Sequence, residues 1–436
     1  MKKTEFSSAL LREAYTRIEH PTGLTVYVFP KKMTATYALF AVNYGSVDTS
    51  LPRDAGGGSL PDGVAHFLEH KLFEDENGED AFAAFSAYGA DVNAYTSYGR
   101  TAYLFSTTAH ISECLRELLT FVTHPHFTEE SVEREKGIIA QEIRMYEDQP
   151  WERAYSNMLS ALFHSHPIRR RICGSVASIG RITPAWLQSA YDAYYRLSNM
   201  ALIVCGDVTE EEILQTVSEV LGECKEVAPA PKREKIYETG GAYRTRVTAK
   251  MQVAKPLFCI GIKDDVPQMS TREESRRELA MSLLCELLFS QSGELFESLY
   301  EQGIINSLNW EYTTVEGAAF VCLSADSDEP ETVLSRLQEY LARIAEKGID
   351  PEEFENARRV RYASEVLLYD STEGIASALL DYTAFDGEDI FDVPATLLDI
   401  KIEELNTLLR EVLCNQDSFV LSTVTPLEET EERSTI

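Results

Sequence analysis

The chain has 436 residues, 44% of them hydrophobic, and a formal net charge of −31. That length exceeds one ordinary core and predicts two domains. The charge excludes nucleic acid and anionic membrane as partners, because either would repel such a surface, and no run of eighteen apolar residues is available to cross a bilayer.

From Met1 to His20, Lys2 and Lys3 are followed by Glu5, Arg12 and Glu13, which interrupt any signal-peptide core. The eight cysteines are scattered without paired spacing, as reduced and partly buried thiols are. Both features predict a cytoplasmic protein. Leu24, Val26 and Val28 share one face of a strand over Leu24 to Phe29, and the apolar run Tyr37 to Tyr44 predicts a strand covered on both faces. A mobile loop with Gly56-Gly57-Gly58 then leads into a helix started by Asp62 and Gly63.

On that helix His66, Glu69 and His70 fall within an arc of roughly 100°, while Val64, Leu68 and Leu72 occupy the other side. Two histidines one turn apart can grip one tetrahedral ion, with Glu69 between them. The same residues can also form a solvated polar face, so a zinc site needs a third ligand elsewhere.

A helix from about Glu79 to Tyr88 and strands over Asp91 to Ser97 and Thr101 to Ser106 come next. Helices follow at about 110–123, 128–147 and 151–163 and from Pro184 to Tyr195, then a strand at Met200 to Gly206 and a helix from Thr209 to Leu221. Within 128–147, Ile139, Ile143 and Tyr146 form a stripe of helical period, and Glu135 and Glu142 lie on it two turns apart. Burying two carboxylates there is costly unless a cation neutralises them. Glu142 is therefore the predicted third zinc ligand and Glu135 a carboxylate that orients the site from behind, with Glu147 rotated away into solvent. His124, His126, His164 and His166, beside Pro125 and Pro167, are expected as loop or cap residues.

Between Glu223 and Tyr243 the composition shifts to Pro, Lys, Glu and Gly, so the predicted division is 1–222, a linker over 223–243, and 244–436. Aligned so that Glu129 faces Glu352, the chain pairs Glu130 with Glu353, Ala140 with Ala363, Glu142 with Glu365 and Tyr146 with Tyr369 without a gap, which predicts an internal duplication. All eight histidines lie at or before His166, so the second copy cannot build a histidine site. In the same register His66, Glu69 and His70 face Phe289, Ser292 and Gly293, while Glu135 faces Arg358, an arginine placed to neutralise Glu365. The end from Glu428 to Arg433 is expected as a disordered tail. The predicted fold class is α+β, two homologous halves that are each an antiparallel sheet covered by helices.

His66-Phe67-Leu68-Glu69-His70 is the inverted zinc-protease motif, and with a helix bearing Glu135 and Glu142 it resembles the pitrilysin/insulinase family of zinc metallopeptidases. Asp91-Val92-Asn93-Ala94-Tyr95-Thr96-Ser97 looks like the family's edge strand beside the zinc, and Gly23-Leu24-Thr25-Val26 and Ser198-Asn199-Met200 stand where such chains place strand entries. The resemblance implies a duplicated metallopeptidase roll. It implies zinc held by His66, His70 and Glu142, Glu69 as the base that activates water, and a peptide laid along Asn93, Ala94 and Tyr95 by strand addition.

Active members of the family also carry an Arg and a Tyr in the second half that steady the oxyanion. Here Tyr300 stands at the Arg position and Asn306 or Ser307 at the Tyr position. The resemblance thus implies the zinc-bearing subunit of a heterodimer with a homologous partner, or a homodimer in which Tyr300 or Tyr312 serves, acting on short or unfolded peptides. A non-catalytic peptide-binding or scaffold subunit is the alternative, favoured by the altered stretch Leu299 to Ser307.

Overall fold

The computed structural model describes residues 1–76, 78, 80–222 and 227–427. Glu79, the first part of the expected linker (223–226) and the acidic end from Glu428 to Arg433 lie outside the described residues. Two compact units form, and neither is a contiguous stretch. One comprises Met1–Ile143, Arg171–Arg233 and Glu365–Val393, the other Arg144–Arg170, Glu234–Ser364 and Pro394–Ile436.

The first unit is built on seven strands: β1 (Lys2–Ser8), β2 (Glu13–Glu19), β3 (Thr25–Pro30), β4 (Thr36–Val42), β5 (Asp91–Thr96), β6 (Thr101–Thr107) and β7 (Met200–Gly206). Their order is β1-β2-β3-β7-β4-β6-β5. Every residue of β4 and β7 is buried, as their unbroken apolar sequences require of central strands. The β1–β2 hairpin was not expected, because Lys2–Ser8 carries no apolar alternation. Its pairing from Lys2↔Glu19 to Ser8↔Glu13 and the stacking of Phe6 on Tyr15 at 4.8 Å hold it at the sheet edge.

The helices in this stretch are α1 (Val64–Leu72), α2 (Ala81–Ala87), α3 (Ile111–Thr123), α4 (Glu129–Glu147) and α5 (Pro150–Leu162), of which α1, α2 and α4 contribute to the site. Among the described residues no helix is long and apolar enough to cross a membrane.

The second unit holds β8 (Arg246–Met251), β9 (Leu257–Asp264), β10 (Asn309–Val315), β11 (Ala318–Asp326) and β12 (Phe419–Pro426), ordered β10-β11-β9-β12-β8. That order repeats β5-β6-β4-β7-β3 strand for strand, which is the duplication in three dimensions. The sheets are mixed where antiparallel ones were expected, since β3 runs parallel to β7 and β8 to β12. Each parallel pair is joined through a long helical excursion, and a crossover of that kind, unlike a tight hairpin, permits parallel pairing.

The exchanged segments explain why the units are not halves. Residues 365–393 supply Ile375, Leu379 and Leu380 to a core with Tyr15, Tyr27, Phe29, Leu39 and Ile203 of the first sheet. In the other unit α5 packs on β8, β9 and β12 and buries Met158 and Leu162. Gly261 on β9 permits this close approach, because a Cβ there would lie 2.7 Å from Leu162 Cδ1. Arg358 does not take the role expected of it. Its guanidinium is held by both oxygens of Glu355, one turn away, and by the Leu398 carbonyl.

Ile375 is wholly buried in the first core although it lies far along the chain. Ile375→Ala is expected to lower unfolding stability by about 2–5 kcal/mol, read as a shift of the denaturant midpoint. A surface-like change below about 0.5 kcal/mol would contradict this packing.

Candidate metal centre

The site begins at Gly63, whose φ of +95° turns the chain into α1. A Cβ at Gly63 would lie 2.6 Å from the Cys173 carbonyl oxygen, and one at Gly174 would lie 2.5 Å from the Asp62 carbonyl oxygen. Two backbones thus meet here with room only for glycine, and this contact sets where α1 starts. Gly63→Ala adds left-handed strain to that clash and is expected to cost about 2 kcal/mol or more. Urea unfolding would read the loss, and metal content should fall with it because α1 carries two of the three donors.

All of α1 except His70 is buried; Phe67 and Leu68 have no exposed surface. The helix is therefore held rigidly while Glu69 and His70 reach one cleft and His66 turns its Nε2 toward Glu142 beside them. His66 Nε2 stands 3.6 Å and His70 Nε2 3.4 Å from Glu142 Oε2. One ligand atom from each of these three residues falls within 4.8 Å of the others. Glu135 Oε1 is 2.9 Å from His70 Nδ1, so that nitrogen carries a hydrogen bond and Nε2 is turned toward Glu142. Glu147 lies outside this group.

The donor set fits a tetrahedral cation. Ligand bonds of about 2.0–2.1 Å place neighbouring donors of a tetrahedron about 3.3 Å apart, close to the separations around Glu142. Glu142 Oε2 is buried with no hydrogen-bond partner, a costly state for a polar atom unless something occupies the space it faces. The electrostatics agree. Burial by itself disfavours the His70 imidazolium, yet the hydrogen-bonded Glu135 and the facing Glu142 carry its pKa up to about 10. Glu142 is held well below the usual carboxylate range by the two imidazoles that face it. Two carboxylates behind two imidazoles favour positive charge among them.

Glu69 is buried and accepts a hydrogen bond from Thr96 Oγ1 at 2.5 Å. Sequence reasoning passed over Thr96. Strand alternation from Ala94 turns it to the same face, but only the β5–β6 pairing brings that face to α1. Lys71 was likewise missed. It is fully buried, and its ammonium bonds Glu74, whose other oxygen takes Arg134 of α4.

The cleft has a volume of about 770 Å³, and Glu69, His70, Phe73, Asn93, Ala94 and Glu135 are among its walls. β5 is the last strand of its sheet, so one of its backbone edges is unpaired within the unit. Asn93 and Ala94 thus lie at the cleft, with Asn93 Oδ1 accepting from the Ala94 N–H at 2.9 Å. Tyr95 is 41% exposed but is not part of that wall.

Other histidines have structural work. His166 Nδ1 accepts from the Ile168 N–H, and Glu238 takes the backbone N–H groups of His164, Ser165 and His166. In the second unit Tyr300 is exposed and stacked on Phe296. Tyr312 donates to Asp264 Oδ2 at 2.8 Å, and Arg277 binds the same carboxylate.

Comparison with known proteins agrees with this geometry. Residues 59–175 match the family described as "Insulinase (Peptidase family M16)", and residues 181–361 match "Peptidase M16 inactive domain". The chain is 38% identical over 422 residues to YmfH of Bacillus subtilis, named an uncharacterized zinc protease, covering 95% of this chain and 97% of that protein. A crystal structure from Alicyclobacillus acidocaldarius, described as an M16-like peptidase, superposes with a TM-score of 0.90 at 34% identity over 95% of this chain and 98% of that one. The periplasmic protease PqqL from Escherichia coli shares the fold, with a TM-score of 0.73 at 16% identity, covering 99% of this chain and 49% of that one.

Proposed function

The chain belongs to the M16 (insulinase) peptidase family, and on that premise we propose that it is a zinc-dependent endopeptidase acting on short or unfolded peptides. The observation that carries this reading is the convergence of His66, His70 and Glu142 on one point beside Glu69. A zinc ion held by those three residues would supply Lewis-acid polarisation of water and of the scissile carbonyl.

The remaining work falls to the chain. Glu135 holds the His70 ring through Nδ1 and leaves Nε2 for the ion. Glu69 takes a proton from the attacking water and returns it to the leaving amine. The free edge of β5 pairs with an extended peptide, and Asn93 and Ala94 set where that peptide lies. Tyr95 flanks them on the same strand.

The second unit supports a partnership. No arginine occurs between Leu299 and Ser307, Tyr300 points to solvent, and Tyr312 is committed to Asp264. Losing an oxyanion donor costs about a hundredfold or more. The oxyanion donors are therefore supplied by a homologous partner subunit, as a heterodimer in preference to a homodimer. The match to about half of PqqL supports this, since that relative has length for a second body of this size. A reducing compartment, the cytoplasm, suits the described cysteines, among which no disulfide forms.

The match of residues 181–361 to an inactive-type domain favours a second reading, a peptide-binding subunit without turnover. A quenched peptide library, added to the chain with and without its copurifying homologue, separates the two. Cleavage only in the pair supports the split enzyme, and none in either supports the binding subunit.

A further inference from the structure

We propose that the Thr96 hydroxyl holds the Glu69 carboxylate in its working orientation, which makes Thr96 a positioning residue for the peptide hydrolysis proposed above, the reading on which this inference rests. Thr96 is the side chain hydrogen-bonded to Glu69 among the described residues, donating to Oε2 at 2.5 Å. It stands opposite Thr101 in the β5–β6 register. Thr101 is fully buried and gives its own proton to the Tyr44 carbonyl at 3.0 Å. Its oxygen, 3.4 Å from Thr96 Oγ1, therefore does not donate to Thr96 or to Glu69. Tyr103 and Tyr195, the neighbouring buried phenols, are bonded to each other at 2.9 Å.

The consequence is geometric. A carboxylate on three rotatable bonds can turn its oxygens away from a substrate, and a bond to Oε2 stops that rotation while leaving Oε1 free to receive a proton. Threonine suits the task, because its β-branched side chain keeps few rotamers in a strand. The backbone of α1 below Glu69 is fixed by the buried Phe67 and Leu68, so Thr96 restrains the part that remains free. Thr96 also belongs to β5, the strand proposed to pair with the peptide. One backbone then registers both the substrate and the base.

Two variants test this, assayed on the full chain with the partner it copurifies with. Thr96→Val keeps the shape and removes the hydroxyl. It should lower kcat about tenfold to a hundredfold, with KM and bound metal unchanged. Thr96→Ser restores the donor and should recover most of that loss. Equal losses in the two variants, or a change confined to KM or to metal content, would overturn the proposal.

A second measurement needs no turnover. Denaturation midpoints of Thr96→Val, Glu69→Ala and the double variant should be non-additive, since either change alone already breaks the bond. Additive shifts would overturn the contact. An inactive parent would count against the peptidase reading, while this cycle still decides whether Thr96 holds Glu69.

Discussion

Glu69→Gln is expected to leave bound metal at the parental level and to lower kcat/KM about a thousandfold or more, the scale of a lost general base. The two side chains have the same shape. A glutamine oxygen can still accept from Thr96, and none of the three metal donors belongs to residue 69. What disappears is a group able to take and return a proton. Glu69 is buried in a cleft wall with one oxygen engaged by Thr96, which holds its carboxylate in place. Elemental analysis beside a quenched-peptide assay gives both readouts. Parental activity in the variant, or loss of its metal, would remove Glu69 from the role assigned to it.

His70→Ala should have the opposite signature, with metal and activity lost together. The change deletes one of three donors and also the hydrogen-bonded partner of Glu135. Two carboxylates, the buried Glu135 and the half-buried Glu142, would then face a site with one imidazole left, and holding a metal ion there becomes unfavourable. Metal retained after dialysis should fall to background. The parent treated with a chelator should reproduce the lost activity and regain it when zinc is restored. Glu135→Gln makes a graded control. It keeps the three donors and weakens only the support behind His70, so its metal affinity should fall about tenfold to a hundredfold. Metal content in His70→Ala equal to the parent's would sink the proposed ligand set.

The parts of this site legible in the sequence were those fixed by local periodicity. His66, Glu69 and His70 share one helix face by arithmetic alone. Glu135 and Glu142 could be found because buried acids on an apolar stripe are anomalous, and the structure places both beside His70. Thr96 was not legible. It lies 27 residues from Glu69 and reaches it only after β5 has paired with β6 and α1 has packed beside them. Lys71 hid for a similar reason, since a lysine on a helix reads as solvated until Glu74 and the surrounding core are seen.

The fold shows the same division. The central strands β4 and β7 announce themselves by continuous apolar sequence, whereas the β1–β2 hairpin is polar and is defined only by its pairing register. The duplication was readable from aligned residues of the two helices, yet the exchange of residues 144–170 and 365–393 between compact units was not.

The sequence by itself determined the chemistry available: two imidazoles one helical turn apart, a glutamate between them, two acids on a later helix, and a second copy without histidine. Only the tertiary structure decided which of these groups meet, which hydroxyl holds the base, and which sheet each exchanged helix covers. The physical reason is that helix periodicity acts over a few residues, while burial is satisfied by whichever apolar faces fit together, however far apart they lie along the chain.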